Sequence, residues 1–196
     1  MDEVHLADIL QVLRLGKGRP SRAEEDPDGD TGILRLGAVD YDSENVNWAE
    51  RMCVSDFDPG AHHFLRPGDV LIVGRGAHRT AVLVDDPPPR TVADRTFFVA
   101  RPDAEQVKPA FLAWYLNERR AQHYLQSHSR GTSIQAIKKS ALERLPVRLP
   151  PLDVQERIAD IQLLVQRERE LLLEWLENRE ELVRSIALRE LERSNQ

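Results

Sequence analysis

Leu145-Pro146-Val147-Arg148-Leu149-Pro150-Pro151-Leu152-Asp153-Val154-Gln155-Glu156-Arg157-Ile158-Ala159 divides the chain into two unlike parts. The prolines of 145–151 withhold backbone donors, so no regular element is predicted through that stretch. Asp153 then stands three residues ahead of Glu156, the capping-box spacing with Asp in the Ser/Thr place. One long helix is predicted from there over 152–193, with 194–196 as a tail, and everything before it, 1–151, as a single globular domain. Ile158, Ile161, Val165, Leu172, Trp175, Leu182 and Ile186 recur at the 3–4 spacing of one helix face, although Glu168 and Arg179 fall on the same stripe and break a strict heptad. A helix of some 40 residues is about 60 Å long. It overhangs a body of about 150 residues, so its stripe is expected to bury on a partner helix.

Working back from the junction, 134–142 reads as a short helix entered from Arg130-Gly131-Thr132-Ser133. Phe111, Leu112, Trp114, Tyr115, Leu116, Tyr124 and Leu125 lie among good helix formers and predict a buried helix packed on a sheet. The sheet itself is foreseen in four β-branched or aromatic runs: 33–36, 70–73, 80–84 and 96–100. Arg66-Pro67-Gly68-Asp69 is turn chemistry ahead of the second run, and Gly74-Arg75-Gly76-Ala77-His78-Arg79 is a glycine-bracketed loop that would join the second and third as a hairpin. Residues 4–15 read as a short helix or strand, followed by an exposed Gly, Pro and Asp-rich loop. The fold class is therefore α+β, one globular domain of short strands and packed helices followed by a single long coiled-coil helix.

Of 196 residues, 27 are Lys or Arg and 33 are Asp or Glu, a net charge of -6. That balance disfavours a protein that coats nucleic acid nonspecifically, which needs cations to neutralise phosphates. The charge is uneven: 1–61 holds 6 basic and 14 acidic side chains, 62–148 holds 14 and 8, and 149–196 holds 7 and 11. Five of the six histidines also lie in the basic middle. If any part meets DNA, it is this one. No apolar window approaches the roughly 18 residues of a membrane span, and the N-terminus has neither the basic start nor the apolar run of a signal peptide. Cys53, the single cysteine, has none to pair with. A cytoplasmic protein without a disulfide framework, metal site or cofactor is expected.

Catalytic motifs are weak. Asp85-Asp86-Pro87-Pro88 invites comparison with the Asp-Pro-Pro-aromatic signature of amino-methyltransferases, but position 89 is Pro and offers no ring to stack on a flipped base. Gly74-Arg75-Gly76 precedes a predicted strand rather than a helix, so it is no nucleotide-binding turn. The four lysines have no carboxylates at nuclease spacing, His62-His63 would point to opposite faces of a strand, and Gly131-Thr132-Ser133 lacks the Gly-x-Ser-x-Gly elbow. The last segment fits two roles equally: with Arg130 before it and Lys138-Lys139 after it, it is either a plain capped helix or a phosphate site built on helix-start N–H groups.

Taken in order, three segments resemble the specificity (S) subunit of type I restriction-modification systems. They are Leu65-Arg66-Pro67-Gly68-Asp69-Val70-Leu71-Ile72, similar to the family's Leu-x-x-Gly-Asp strand; Gly131-Thr132-Ser133-Ile134-Gln135 through Ile137; and the junction quoted above, similar to Pro-Pro-Leu-x-x-Gln-x-x-Ile-Ala. The likeness is to half of such a subunit, one target-recognition domain and one spacer helix. It implies a noncatalytic module whose partners are double-stranded DNA, a methyltransferase (modification) subunit that modifies adenine, and in some assemblies a restriction subunit with nuclease activity. It also implies a homodimer through 152–193, which symmetry would match to an interrupted palindrome. Base contacts are expected from Arg75, His78 and Arg79, and phosphate contacts from Arg130, Thr132, Lys138 and Lys139. These assignments rest on charge and position, not on the family. Two other roles share the fold: a regulator or decoy that occupies the methyltransferase through the helix, and a free-standing DNA-binding regulator.

Overall fold

The computed structural model describes residues 2–18, 24–76, 79–130 and 136–194. They form two compact units, Met1–Ala159 and Asp160–Gln196. The first two turns of the long helix thus belong to the globular unit, eight residues beyond the proline junction.

Among the described residues, thirteen short strands organise the first unit: β1 (Asp2–His5), β2 (Leu10–Leu15), β3 (Thr31–Leu34), β4 (Val39–Asp40), β5 (Asn45–Val46), β6 (Met52–Val54), β7 (Val70–Val73), β8 (Ala81–Leu83), β9 (Thr91–Ala93), β10 (Phe97–Pro102), β11 (Ser129–Arg130), β12 (Ala136–Ile137) and β13 (Pro146–Leu149). Its helices are α1 (Pro109–Asn117), α2 (Arg119–Ser127), α3 (Lys139–Glu143) and the start of α4 (Leu152–Ser194). The central sheet runs β2-β10-β7-β8, all antiparallel. A second sheet runs β6-β3-β9, with β3 parallel to β9. The pairs β1–β13, β4–β5 and β11–β12 stand apart from both.

The central sheet is covered on both faces, which is why β7 reads Val-Leu-Ile-Val without alternation. Val70, Ile72, Phe98 and Ala100 face one core, shared with Phe111, Leu112, Leu116, Leu125 and Leu142 from the three short helices. Leu71, Val73, Phe97 and Val99 face the other, shared with Leu34, Val39 and Ala93. Every one of these side chains is at most 6% exposed. Period-2 alternation survives as a choice between two cores.

The Leu-x-x-Gly-Asp segment is a structural turn. Gly68 has φ +87°, a conformation that costs an L side chain dearly. Asp69, fully buried, accepts from Arg66 N at 2.9 Å and holds Arg101 in a two-pronged pair at 2.7 and 2.8 Å. Arg101 lies on the adjoining end of β10, so the pair ties this turn to the sheet's central strand. The junction glutamine does similar work. Gln155 is fully buried, its Oε1 accepting from Lys108 N at 2.8 Å while Nε2 donates to Pro150 O at 2.8 Å and Gln106 O at 3.1 Å.

Several sequence expectations are corrected. Residues 4–15 form two strands joined by a 3₁₀ turn, Leu6–Ile9, whose Leu6 and Ile9 are buried. The single helix expected around 111–125 is two, broken at Glu118 with ψ 148°, just after Asn117, the last residue of α1, whose side chain exchanges two 2.8 Å hydrogen bonds with the backbone of Ala81. The helix expected over 134–142 starts only at Lys139, because Ala136–Ile137 is taken up as β12. The proline stretch does form a strand, β13, paired antiparallel with β1; Pro146 is its first residue, where a missing N–H is tolerated. His62-His63 end a 3₁₀ turn rather than sitting in a strand. α4 begins at Leu152, so Asp153 lies inside its first turn, paired with Arg157 at 3.1 Å, instead of capping it. Among the described residues no helix is long and apolar enough to cross a membrane, and no group of three metal-ligating side chains converges.

Candidate nucleic-acid interface

The hairpin loop after β7 and the β11–β12 ribbon, far apart in sequence, meet. Gly74 O accepts from Ile137 N at 3.0 Å, and Arg75 pairs with Ala136 as an isolated antiparallel bridge. Ala136 in turn stands opposite Arg130. The backbone order Arg130, Ala136, Arg75 therefore runs across β11 and β12 to the segment after β7, with a methyl side chain between two arginine positions. Gly74 itself has to be small, since a Cβ there would meet the Phe98 ring at 2.7 Å.

Arg75 and Lys138 are exposed, and among the described residues neither pairs with a carboxylate. Lys139 is exposed too, but reaches Glu143 on its own turn at 3.5 Å. Lys138 is the N-cap of α3 and offers no side-chain acceptor. α3 thus starts at Lys139, rather than directly after 131–133 as expected. His78 and Thr132 lie outside the described residues, as does the side chain of Arg130.

Arg79 differs from the base-contact expectation. It is only 5% exposed, and its guanidinium donates from Nε to Ser129 Oγ at 3.0 Å and from Nη1 to Gly76 O at 2.6 Å. Burial also lowers its pKa. Ser129 Oγ passes a 2.7 Å hydrogen bond to Leu125 O at the end of α2, and Gln122 Nε2 donates to Arg79 O at 3.0 Å. Arg79 thus braces the loop against α2 and the ribbon. Ser129, Gln122 and Asn117 belong to this support and were missed from sequence, because polar residues in a helix or beside one carry no signal of which distant backbone they satisfy.

On α4 the predicted stripe is open within the second unit. Ile161, Val165, Leu172, Trp175, Leu182 and Ile186 are 50–59% exposed. Ile158, by contrast, packs on the helix-side core of the globular unit.

The chain is a two-core α+β domain continued by a long helix whose apolar stripe is exposed within the second unit. The family model of the type I restriction modification DNA specificity domain matches residues 1–172, and the chain belongs to that family. No curated protein matches the chain. Its fold is similar to that of the type I restriction-modification S subunit from M. genitalium, with TM-score 0.57 and 15% identity over 82% of this chain and 37% of that one. The HsdS subunit from Thermoanaerobacter tengcongensis gives 0.59 and 21%, over 87% and 43%. A chain from a structure of complex assembly and conformational transition in the type I R-M system gives 0.63 and 21%, over 87% and 39%. The present chain spans about two-fifths of each of these proteins.

Proposed function

We propose that this chain is a noncatalytic DNA-recognition subunit that directs an adenine methyltransferase, and in some assemblies a restriction nuclease, to a bipartite inverted site. The observation that carries the reading is the family match over residues 1–172. Two copies joined through 152–193 would supply the two recognition domains. Arg75 is the base-edge candidate, since its side chain is exposed where its backbone bridges to Ala136, and arginine can grip guanine O6 and N7 together. His78 follows it in the same loop. Arg79 serves from beneath, as a positioning residue. Arg130, Thr132, Lys138 and Lys139 form the proposed phosphate-contacting set, which fixes register without reading sequence.

The net charge of -6 favours a division of labour in which the chain alone binds DNA weakly and the methyltransferase supplies the remaining cationic surface. Anisotropy titrations on a labelled duplex, with and without the methyltransferase subunit, test this. The reading expects salt-sensitive, weak binding by the chain alone and sequence-specific binding by the complex. Tight specific binding by the chain alone at physiological salt would favour a free-standing regulator.

A further inference from the structure

The two ends of the central sheet differ in charge. At one end the segments that enter and leave its strands carry Asp8, Asp69, Asp85, Asp86, Asp103 and Glu105, beside Arg66. At the other end lie Gly16-Lys17-Gly18 after β2, Asp94-Arg95-Thr96 before β10, Gly74-Arg75-Gly76 after β7 and Arg79-Thr80 before β8. Asp94 is the one carboxylate in these described residues, and it is engaged within its own turn. Its Oδ1 accepts from the backbone N of Thr96 at 2.8 Å and from the Thr96 hydroxyl.

Backbone hydrogen bonds join the second end into one row. Gly16 N donates to Phe97 O at 2.9 Å, Lys17 N to Ala93 O at 2.8 Å and Gly74 N to Thr96 O at 2.7 Å. With Ala136 standing between Arg75 and Arg130, the row runs from Lys17 past Arg95 to Arg75 and on to the Arg130 backbone. Two glycines bring Lys17 and Arg95 together. A Cβ on Gly16 would collide with Asp94 O, and one on Gly18 would come within 2.8 Å of Arg95 Cζ, so the Arg95 guanidinium lies over the Gly18 backbone. Arg95 is exposed and Lys17 partly so, and among the described residues neither pairs with a carboxylate.

We propose that Lys17 and Arg95 form a second phosphate-contacting site, which grips the DNA backbone beside the base pair that Arg75 addresses. This rests on the DNA reading above and adds to it two residues outside the set already named. Strands stand about 4.8 Å apart, so β2 is about 10 Å from β7 across the sheet. Charges recur about every 3.4 Å along each DNA strand, which sets the site about three phosphates from Arg75. A duplex along this end meets cations at successive strand positions, whereas the carboxylates of the other end would repel it. That separation lets a chain of net charge -6 present one attractive edge to DNA. Phosphate rather than base is assigned because the Lys17 ammonium is a point charge without a guanidinium's paired donors, and the Arg95 fork is held against the Gly18 backbone.

Anisotropy titrations of a labelled duplex over a salt series test the site, using the full-length chain alone and with its methyltransferase subunit. Each phosphate contact contributes about 0.9 to the slope of log K against log salt, so Lys17→Gln and Arg95→Gln should each flatten it by about one and the double variant by about two. By the same slope, each single loss should weaken binding about eightfold at about 0.1 M salt, equally for cognate and scrambled duplexes. Lys17→Arg and Arg95→Lys keep the charge and should keep the parental slope. Arg66→Gln, which removes an exposed cation at the acidic end, should keep it too. A double variant with the parental slope, an equal flattening by Arg66→Gln, or a loss confined to the cognate duplex would each overturn the proposal. So would a double variant that loses the methyltransferase in sedimentation velocity while its DNA slope is unchanged, which would give the row to that protein instead. The two readings fail separately: a parent that selects a sequence with a slope untouched by the double variant removes only this site, and a parent that binds no DNA, alone or in complex, removes the DNA reading with it.

Discussion

Replacing Gln155 should unfasten the start of the long helix from the globular unit in a way whose size can be worked out. Its carboxamide is fully buried and makes three hydrogen bonds of 2.8 to 3.1 Å to the backbone at Lys108, Gln106 and Pro150. Gln155→Ala leaves one N–H and two carbonyls without that partner. Each neutral hydrogen bond contributes about 1 kcal/mol net, and stranding buried groups adds to this, so a loss of about 3 to 5 kcal/mol is expected. Gln155→Glu refines the test. One carboxylate oxygen can still accept from Lys108, but the other would face two carbonyl oxygens, which only a donor satisfies. Burial and those carbonyls raise the carboxyl pKa of the folded variant above its unfolded value of about 4.3. The protonated variant can donate once, so it should be near the parent in stability below the unfolded pKa and lose stability as pH rises toward the folded pKa. Guanidinium unfolding followed by tryptophan fluorescence, at several pH values, measures both variants. A loss under about 1 kcal/mol for Gln155→Ala, or a pH-independent loss for Gln155→Glu, would refute the assigned hydrogen-bond roles.

Three further outcomes follow from the geometry. Arg79→Ala should blur the discrimination between DNA sequences while also lowering stability, because it unties the loop from Ser129 and Gly76; competition binding against scrambled sites measures the first and thermal unfolding the second. Arg75→Ala should cost about 1–3 kcal/mol at one base pair of the site, whereas Lys138→Ala should weaken all sequences alike and reduce the salt slope by about one, as read by titrations of the methyltransferase complex across a salt series. His63 has its pKa lowered by burial, with His62, Lys17 and Arg14 adding repulsion. Its contribution is thus intact above the unfolded value of about 6.5 and lost as pH falls through it toward the folded pKa, so a His63→Gln variant should show a shallower drop in stability between neutral and mildly acidic pH.

The parts legible in the sequence were those governed by local chemistry. The apolar runs at 70–73, 80–84 and 96–100 became β7, β8 and β10 because β-branched and aromatic residues suit a sheet buried on both faces, and Arg66-Pro67-Gly68-Asp69 became a turn because only glycine sits easily at φ +87°. The long helix was legible from its stripe and its lack of breakers. What escaped depended on distant partners. Residues 145–151 looked barred from regular structure until β1 supplied the other half of an edge pair. Ala136–Ile137 read as helix and became strand because Gly74 and Arg75 offered a backbone to pair with. Arg79 looked like a free cation in a polar loop, and nothing local told that Ser129, fifty residues on, would hold it. The meeting of loop and ribbon is a tertiary fact, so the candidate interface was legible in its residue types but not in its division between exposed contacts and buried braces.

The central claim, that this chain selects the DNA sites an adenine methyltransferase modifies, is tested most directly by mapping methylated adenines across the native host's genome with and without the gene. One interrupted inverted-repeat motif should lose its methylation in the deletion strain and regain it when the gene is restored. An Arg75→Ala copy should fail to restore the same motif fully. An unchanged methylation map in the deletion strain would contradict the claim.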